Sequence, residues 1–134
     1  MQQEAIKVPI GQTARPPVIA IVDDDAAVCG SLKFVLELEG FVVRAFGSAA
    51  ELLAAGDVGD YDCLVVDQAM PGLSEMELIA GLRSQKVTTP AIIVISDPNA
   101  ALSARAAAAD IPIIEKPLFG NTLFDEIRRA CRRG

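Results

Sequence analysis

The sequence predicts an α/β fold, a doubly wound five-stranded parallel sheet with helices on both faces. Two observations predict it. Short apolar runs rich in Val and Ile alternate five times with segments of helical periodicity, and such alternation builds βαβ units with right-handed crossovers. The runs also close on polar residues: Asp23, Asp24 and Asp25, then Asp67, then Ser96, then Lys116. In sheets of this kind the ligand site lies outside the carboxyl ends of the strands, where the strand order reverses. Function is therefore sought among the residues that close each run.

Taken in order, residues 1–17 lack periodicity and end in Ala14-Arg15-Pro16-Pro17, which blocks helix and disfavours a central strand. They read as a flexible N-terminal extension, with the domain proper at 18–134. Val18 to Val22 is a continuous apolar run, as expected of a strand buried on both faces. One of the three acids after it can cap the next helix, whose apolar positions Val28, Leu32, Val35 and Leu36 recur at helical spacing before Gly40 ends it. Phe41 to Phe46 partly alternates, as at a sheet edge, and Ser48-Ala49-Ala50-Glu51 has capping-box spacing for a short helix to about Ala55.

Cys63 to Val66 is the next buried strand, closed by Asp67 and a Pro71-Gly72 turn. A second capping box, Ser74 with Glu77, opens a helix expected to align Met76, Ile79 and Ala80. Pro90 to Ile95 is the fourth strand. The alanine-rich segment from Asn99 to about Ala109 is a helix by propensity more than by amphipathicity. Ile111 to Glu115 is a last strand, placed at an edge by its internal Pro112. A final helix from about Asn121 aligns Leu123, Ile127, Ala130 and Cys131.

Composition narrows the function. The 134 residues fit one domain and, at 51% hydrophobic, supply a substantial core; no room remains for a DNA-binding output domain, so a stand-alone unit is expected. No run approaches the eighteen apolar residues of a membrane span, and Met1 to Lys7 has neither a basic region nor an apolar core. A soluble cytoplasmic protein without membrane contact is expected. The net charge of −6 argues against nucleic acid as a partner. The basic cluster Arg128, Arg129, Arg132 and Arg133 reads as cations complementing the macrodipole of a last helical turn. Three scattered cysteines without histidine exclude Cys/His zinc spacing and read as small buried apolar residues.

Capping needs one acid, and three at one strand end are costly unless something positive compensates. A hard divalent cation with oxygen ligands does so. A carboxylate can also be a nucleophile, forming an aspartyl phosphate whose oxygens then need positive charge and donors. Asp67 is the nucleophile candidate because it stands alone on the central strand. Lys116 and Ser96 are the candidate ammonium and hydroxyl.

These residues resemble the receiver domain of two-component response regulators, the CheY-like family. The resemblance runs from 18 to about 132 and rests on Ile21-Val22-Asp23-Asp24-Asp25, Val65-Val66-Asp67 with Met70-Pro71-Gly72, Ile95-Ser96, and Glu115-Lys116-Pro117. It implies a flavodoxin-like fold with strand order 2-1-3-4-5. It implies that Asp67 accepts a phosphoryl group from a histidine kinase or phosphotransfer protein. Asp24, Asp67 and the carbonyl of Ala69 would bind Mg2+ directly, with Asp23 acting mostly through water. Ser96 takes the place of the switch hydroxyl and Lys116 that of the phosphate-pairing lysine. A signalling phosphoacceptor follows, not a turnover enzyme, although slow self-phosphorylation from small donors and self-dephosphorylation belong to the family.

Three departures stand out. Ile113 occupies the position, three before the lysine, where the family carries an aromatic switch residue. Asp97 follows the switch hydroxyl where a small residue is usual; it either faces and repels a phosphodonor or forms a turn before Pro98 in water. The Ser96 to Lys116 segment is a little shorter than is usual, so the fourth helix is expected to be short, shifted or mobile. The alanine-rich helix, an exposed Ile113 and the final helix form the expected face for a downstream partner or a second copy. Ile113 and Asp97 also keep open a pseudo-receiver that signals by binding alone. A magnesium-dependent phosphohydrolase needs a second acid two residues beyond the nucleophile, where this chain has Ala69.

Overall fold

The apolar runs become strands: β1 (Val18–Val22), β2 (Val42–Phe46), β3 (Cys63–Asp67), β4 (Ala91–Ile95) and β5 (Ile113–Glu115). Between and after them lie α1 (Ala26–Leu38), α2 (Ala49–Ala55), α3 (Glu75–Ser84), α4 (Ala100–Ala108) and α5 (Thr122–Arg133). The computed structural model describes residues 15–68, 74–116 and 121–133. All strand pairs are parallel in the order β2-β1-β3-β4-β5. The sheet is thus the flavodoxin-like one that the resemblance implies, with β2 and β5 at its edges. The order reverses between β1 and β3, which opens the crevice at their carboxyl ends.

Successive side chains of a strand point to opposite faces, and the sheet divides its apolar residues accordingly. Ala20, Val22, Leu64, Val66, Ile93 and Ile95 pack with Leu52, Leu78, Ile79, Leu82 and Leu102, from α2, α3 and α4. Ile19, Ile21, Val65, Ile92 and Val94 pack on the other side with Leu36 of α1 and Leu123, Ile127 and Ala130 of α5. Each fully buried Val, Leu or Ile contributes roughly 1.5–3 kcal/mol relative to exposure. Two such layers hold the central strands rigid beneath the crevice.

Local signals decide the helix starts. Asp25 is the acid that caps α1, its Oδ1 accepting from the N–H groups of Ala27 at 2.9 Å and Val28 at 3.2 Å. Ser48 caps α2 and Asn99 caps α4. Ser74 and Glu77 form a reciprocal capping box at α3.

Several expectations are corrected. Ala80 is exposed, because it lies 100° around the helix from Ile79; the buried face of α3 is Met76, Leu78, Ile79 and Leu82. Val35 is 40% exposed, and Cys29 fills the α1 face in its place. β5 begins only at Ile113, since Pro112 has no N–H to give a ladder; its carbonyl instead accepts from Ile93 N–H at 2.9 Å. Ile113 is half-buried against the core, not an exposed knob. The fourth helix is indeed short, nine residues. Arg128 does more than face a dipole: it bonds Glu39 at 2.7 Å and lies over the Phe41 and Phe124 rings, tying α5 to the end of α1. Cys29 and Cys63 are buried free thiols, and Cys131 is half-buried. Among the described residues no helix is long and apolar enough to cross a membrane.

Candidate functional site

Register brings the closing residues together. Val22 pairs with Val66, and Asp67 pairs with Val94, so the turn after β1, the end of β3 and the end of β4 meet above the crevice. β5 joins β4 through Ile95 and Glu115, and the N–H of Lys116 donates to the Ile95 carbonyl at 2.7 Å. The lysine thereby starts its side chain two strands from Asp67, with β4 between them, and reaches across.

Asp23, Asp24 and Asp67 each offer a carboxylate oxygen within 4.8 Å of the others. Asp23 and Asp67 are buried and Asp24 is exposed. Lys116 Nζ lies 2.8 Å from Asp67 Oδ1 and 3.9 Å from Asp23 Oδ2. Asp23 Oδ1 also accepts from the N–H of Asp25 at 2.9 Å, which couples the acid turn to the α1 cap. Beneath it the Cys29 thiol donates to the Asp23 carbonyl at 3.2 Å.

Burial pushes the Asp23 carboxyl above the usual carboxylate range; the Asp25 N–H and Lys116 oppose this, and the neighbouring charges of Asp67 and Asp24 reinforce it. For Lys116, partial burial alone would lower the pKa. The hydrogen bond and charge of Asp67, then the charges of Asp23 and Asp25, outweigh it and hold the ammonium above its ordinary value. One ammonium thus serves two buried carboxylates. The donor set, three carboxylates of which one is open to solvent, fits a hard divalent cation that keeps some of its waters.

Each described residue of the expected site lies at this edge. Ser96 closes β4, exposed, next to the end of β3. Ala69, Met70, Pro71, Gly72 and Pro117 lie outside the described residues. Asp97 is exposed, as the turn reading expects. Gln68 was not anticipated. Its main-chain N–H donates to the Val94 carbonyl at 2.8 Å, and its side chain runs forward along the β4–α4 loop. There its Oε1 accepts from the N–H of Ser96 at 3.0 Å and of Asp97 at 3.2 Å, and its Nε2 donates to the Asp97 carbonyl at 3.1 Å. A cleft lined by Arg83, Pro90, Asp110 and Glu126 sits at the opposite, amino end of β4 and takes no part in this cluster.

The family model of the response regulator receiver domain matches residues 19–128. The transcriptional regulatory protein TcrA of Mycobacterium tuberculosis (strain ATCC 25618 / H37Rv) is 33% identical over 119 residues, 87% of this chain and 46% of its own length. The transcriptional regulatory protein FixJ of Bradyrhizobium diazoefficiens is 33% identical over 116 residues, 86% of this chain and 57% of its own. The chain therefore spans about half the length of these relatives. Among solved structures, that of FixJ-N superposes with a TM-score of 0.79 at 31% identity, over 90% of this chain and 97% of the other. A receiver domain from Clostridium thermocellum, at 23% identity, gives a TM-score of 0.81 over 87% and 95% of the two chains and speaks to the fold alone.

Proposed function

The chain belongs to the response regulator receiver family, and from that premise we propose that it is phosphorylated on Asp67 and signals through protein contacts made by this domain. The observation that carries the reading is the ammonium of Lys116, 2.8 Å from Asp67 within a cluster of three carboxylates. The donor is a phosphohistidine of a histidine kinase or phosphotransfer protein. An Asp67 carboxylate oxygen attacks the phosphorus; the O–P bond forms as the P–N bond breaks, and the departing imidazole takes up a proton.

Asp24 and Asp67 would hold Mg2+ directly, with Asp23 acting through water and the Ala69 carbonyl as a further ligand. When bound, the ion would supply positive charge to the phosphoryl oxygens. In this reading Lys116 pairs with a phosphoryl oxygen, and Ser96 donates its hydroxyl to another. The product is an acyl phosphate on Asp67, so the protein is a phosphoacceptor, with slow self-phosphorylation from small donors and self-dephosphorylation, and not a turnover enzyme. Donors of this kind are charged from ATP, and the reading puts the protein in the cytoplasm.

Intact mass after incubation with Mg2+ and acetyl phosphate tests this. One phosphoryl adduct is expected, absent without Mg2+ and absent in Asp67→Asn. No adduct at any magnesium concentration would overturn it and favour the second reading, an interaction module independent of phosphorylation. That reading draws on Ile113, which has no ring to swing at the family's aromatic switch position. In either case the α4-β5-α5 face is the proposed contact for a downstream partner or a second copy. Ile113→Glu is expected to abolish capture of that partner, and unchanged capture would rule the face out.

A further inference from the structure

We propose that Gln68 is a latch that holds the β4–α4 loop in its resting position and competes with a phosphoryl group on Asp67 for the loop's donors. The inference rests on the phosphoacceptor reading and goes beyond it by naming the residue that sets the threshold of switching.

A phosphoryl group on Asp67 adds oxygens that need donors on every side. Lys116 lies on the β5 side. On the β4 side the described residues that follow the strand offer the hydroxyl of Ser96 and the main-chain N–H groups of Ser96 and Asp97. Both of those N–H groups already point at Gln68 Oε1, and the Nε2 of the same amide holds the Asp97 carbonyl. The Ser96 hydroxyl, by contrast, makes no hydrogen bond among the described residues.

The base of the latch is fixed. Gln68 directly follows Asp67, and its own N–H is bound to the Val94 carbonyl of β4. The loop therefore cannot turn its main-chain donors toward Asp67 while these three bonds persist. Releasing them is part of the free energy of switching. Gln68 is a positioning residue, since it acts on the loop and not on the reacting atoms.

The test is Gln68→Met, which keeps the length of the side chain but offers the two N–H groups no comparable acceptor. The probe is beryllofluoride, a non-covalent mimic of the phosphoryl group, titrated with Mg2+ present. The variant is expected to bind it about fivefold tighter, the scale of one kcal/mol, with Mg2+ affinity in the absence of the probe unchanged. In the wild type, the side-chain amide resonances of Gln68 are expected to shift to those of a free amide as the probe saturates. A structural defect would weaken binding, so a gain separates the latch from simple damage. Equal or weaker binding by the variant, or Gln68 resonances that stay put on saturation, overturns the latch while leaving the phosphoacceptor reading intact. If neither wild type nor variant binds the probe, the phosphoacceptor reading falls and the latch with it.

Discussion

Replacing Asp23 by Asn should stabilise the metal-free protein at neutral pH while weakening its response to magnesium. At an effective dielectric of 20, like charges at the 4.8 Å limit of the acid cluster repel by about 3.5 kcal/mol, and the ammonium at 3.9 Å attracts Asp23 by about 4.3 kcal/mol. The attraction nearly cancels the repulsion from Asp67; the exposed Asp24 adds a further, solvent-screened repulsion, and partial exposure of Lys116 weakens the attraction. What remains is the cost of burying the Asp23 charge, the leading cause of its raised pKa. Asn at this position can still accept from the Asp25 N–H, and it leaves Lys116 wholly to Asp67. The expected gain in chelator at pH 7 is on the order of 1–2 kcal/mol, or about 3–10 °C in melting temperature for a chain of this size.

The pH dependence gives the sign a second check. A carboxyl whose pKa is raised on folding binds its proton more tightly in the folded state, so the folded chain loses stability as pH rises from the ordinary carboxylate range through the raised value. The stability gap between variant and wild type should therefore be small below that window, widen across it and level off above. With Mg2+ at about 100 times its dissociation constant the wild type gains roughly 2.7 kcal/mol, whereas the variant gains less and the order of stability reverses. Thermal melts in chelator and in Mg2+ across the acid range measure all of this. A variant less stable than wild type in chelator at pH 7 would show that the Lys116 and Asp25 contacts outweigh burial, and would refute the reasoning.

Two further outcomes are expected. Lys116→Met removes the ammonium 2.8 Å from Asp67 and should slow adduct formation from acetyl phosphate by about 100-fold, followed by intact mass over time; a rate within threefold of wild type would remove Lys116 from the reaction. Lys86 follows the end of α3 with φ at 64°, a left-handed conformation that costs a side chain about 1–2 kcal/mol. Lys86→Gly should therefore raise stability by roughly 0.5–1 kcal/mol after the added freedom of the unfolded glycine, and a lower melting temperature would contradict it.

The same particulars show what a single sequence reveals. Buried strands were legible because an apolar run of β-branched residues admits few alternatives, and the positions of Asp67, Ser96 and Lys116 followed from where those runs stop. Helix ends varied: α4 stops within one residue of the expected Ala109, whereas α3, for which the sequence marked no end, stops through Lys86 in the left-handed region, where no glycine marks the turn. Ala80 was misplaced because three apolar residues at helical spacing fix a face only to within one position. Gln68 left no trace, for a physical reason. Its partners are main-chain amides, which every residue carries, so no residue type at 96 or 97 announces the bond.

The acid cluster is the converse case. Its partners are charges, and charge is written in the sequence: three carboxylates at the end of one strand and a fourth on the next conflict with stability wherever they converge. The fold concentrates that conflict instead of dispersing it. Asp25 is absorbed as a cap, Lys116 is divided between two buried acids, and Asp24 is left in solvent. A chain selected for stability alone would neutralise Asp23, as the Asn variant does. Its burial beside Asp67 is a cost that the cation and phosphoryl group of the proposed function would offset.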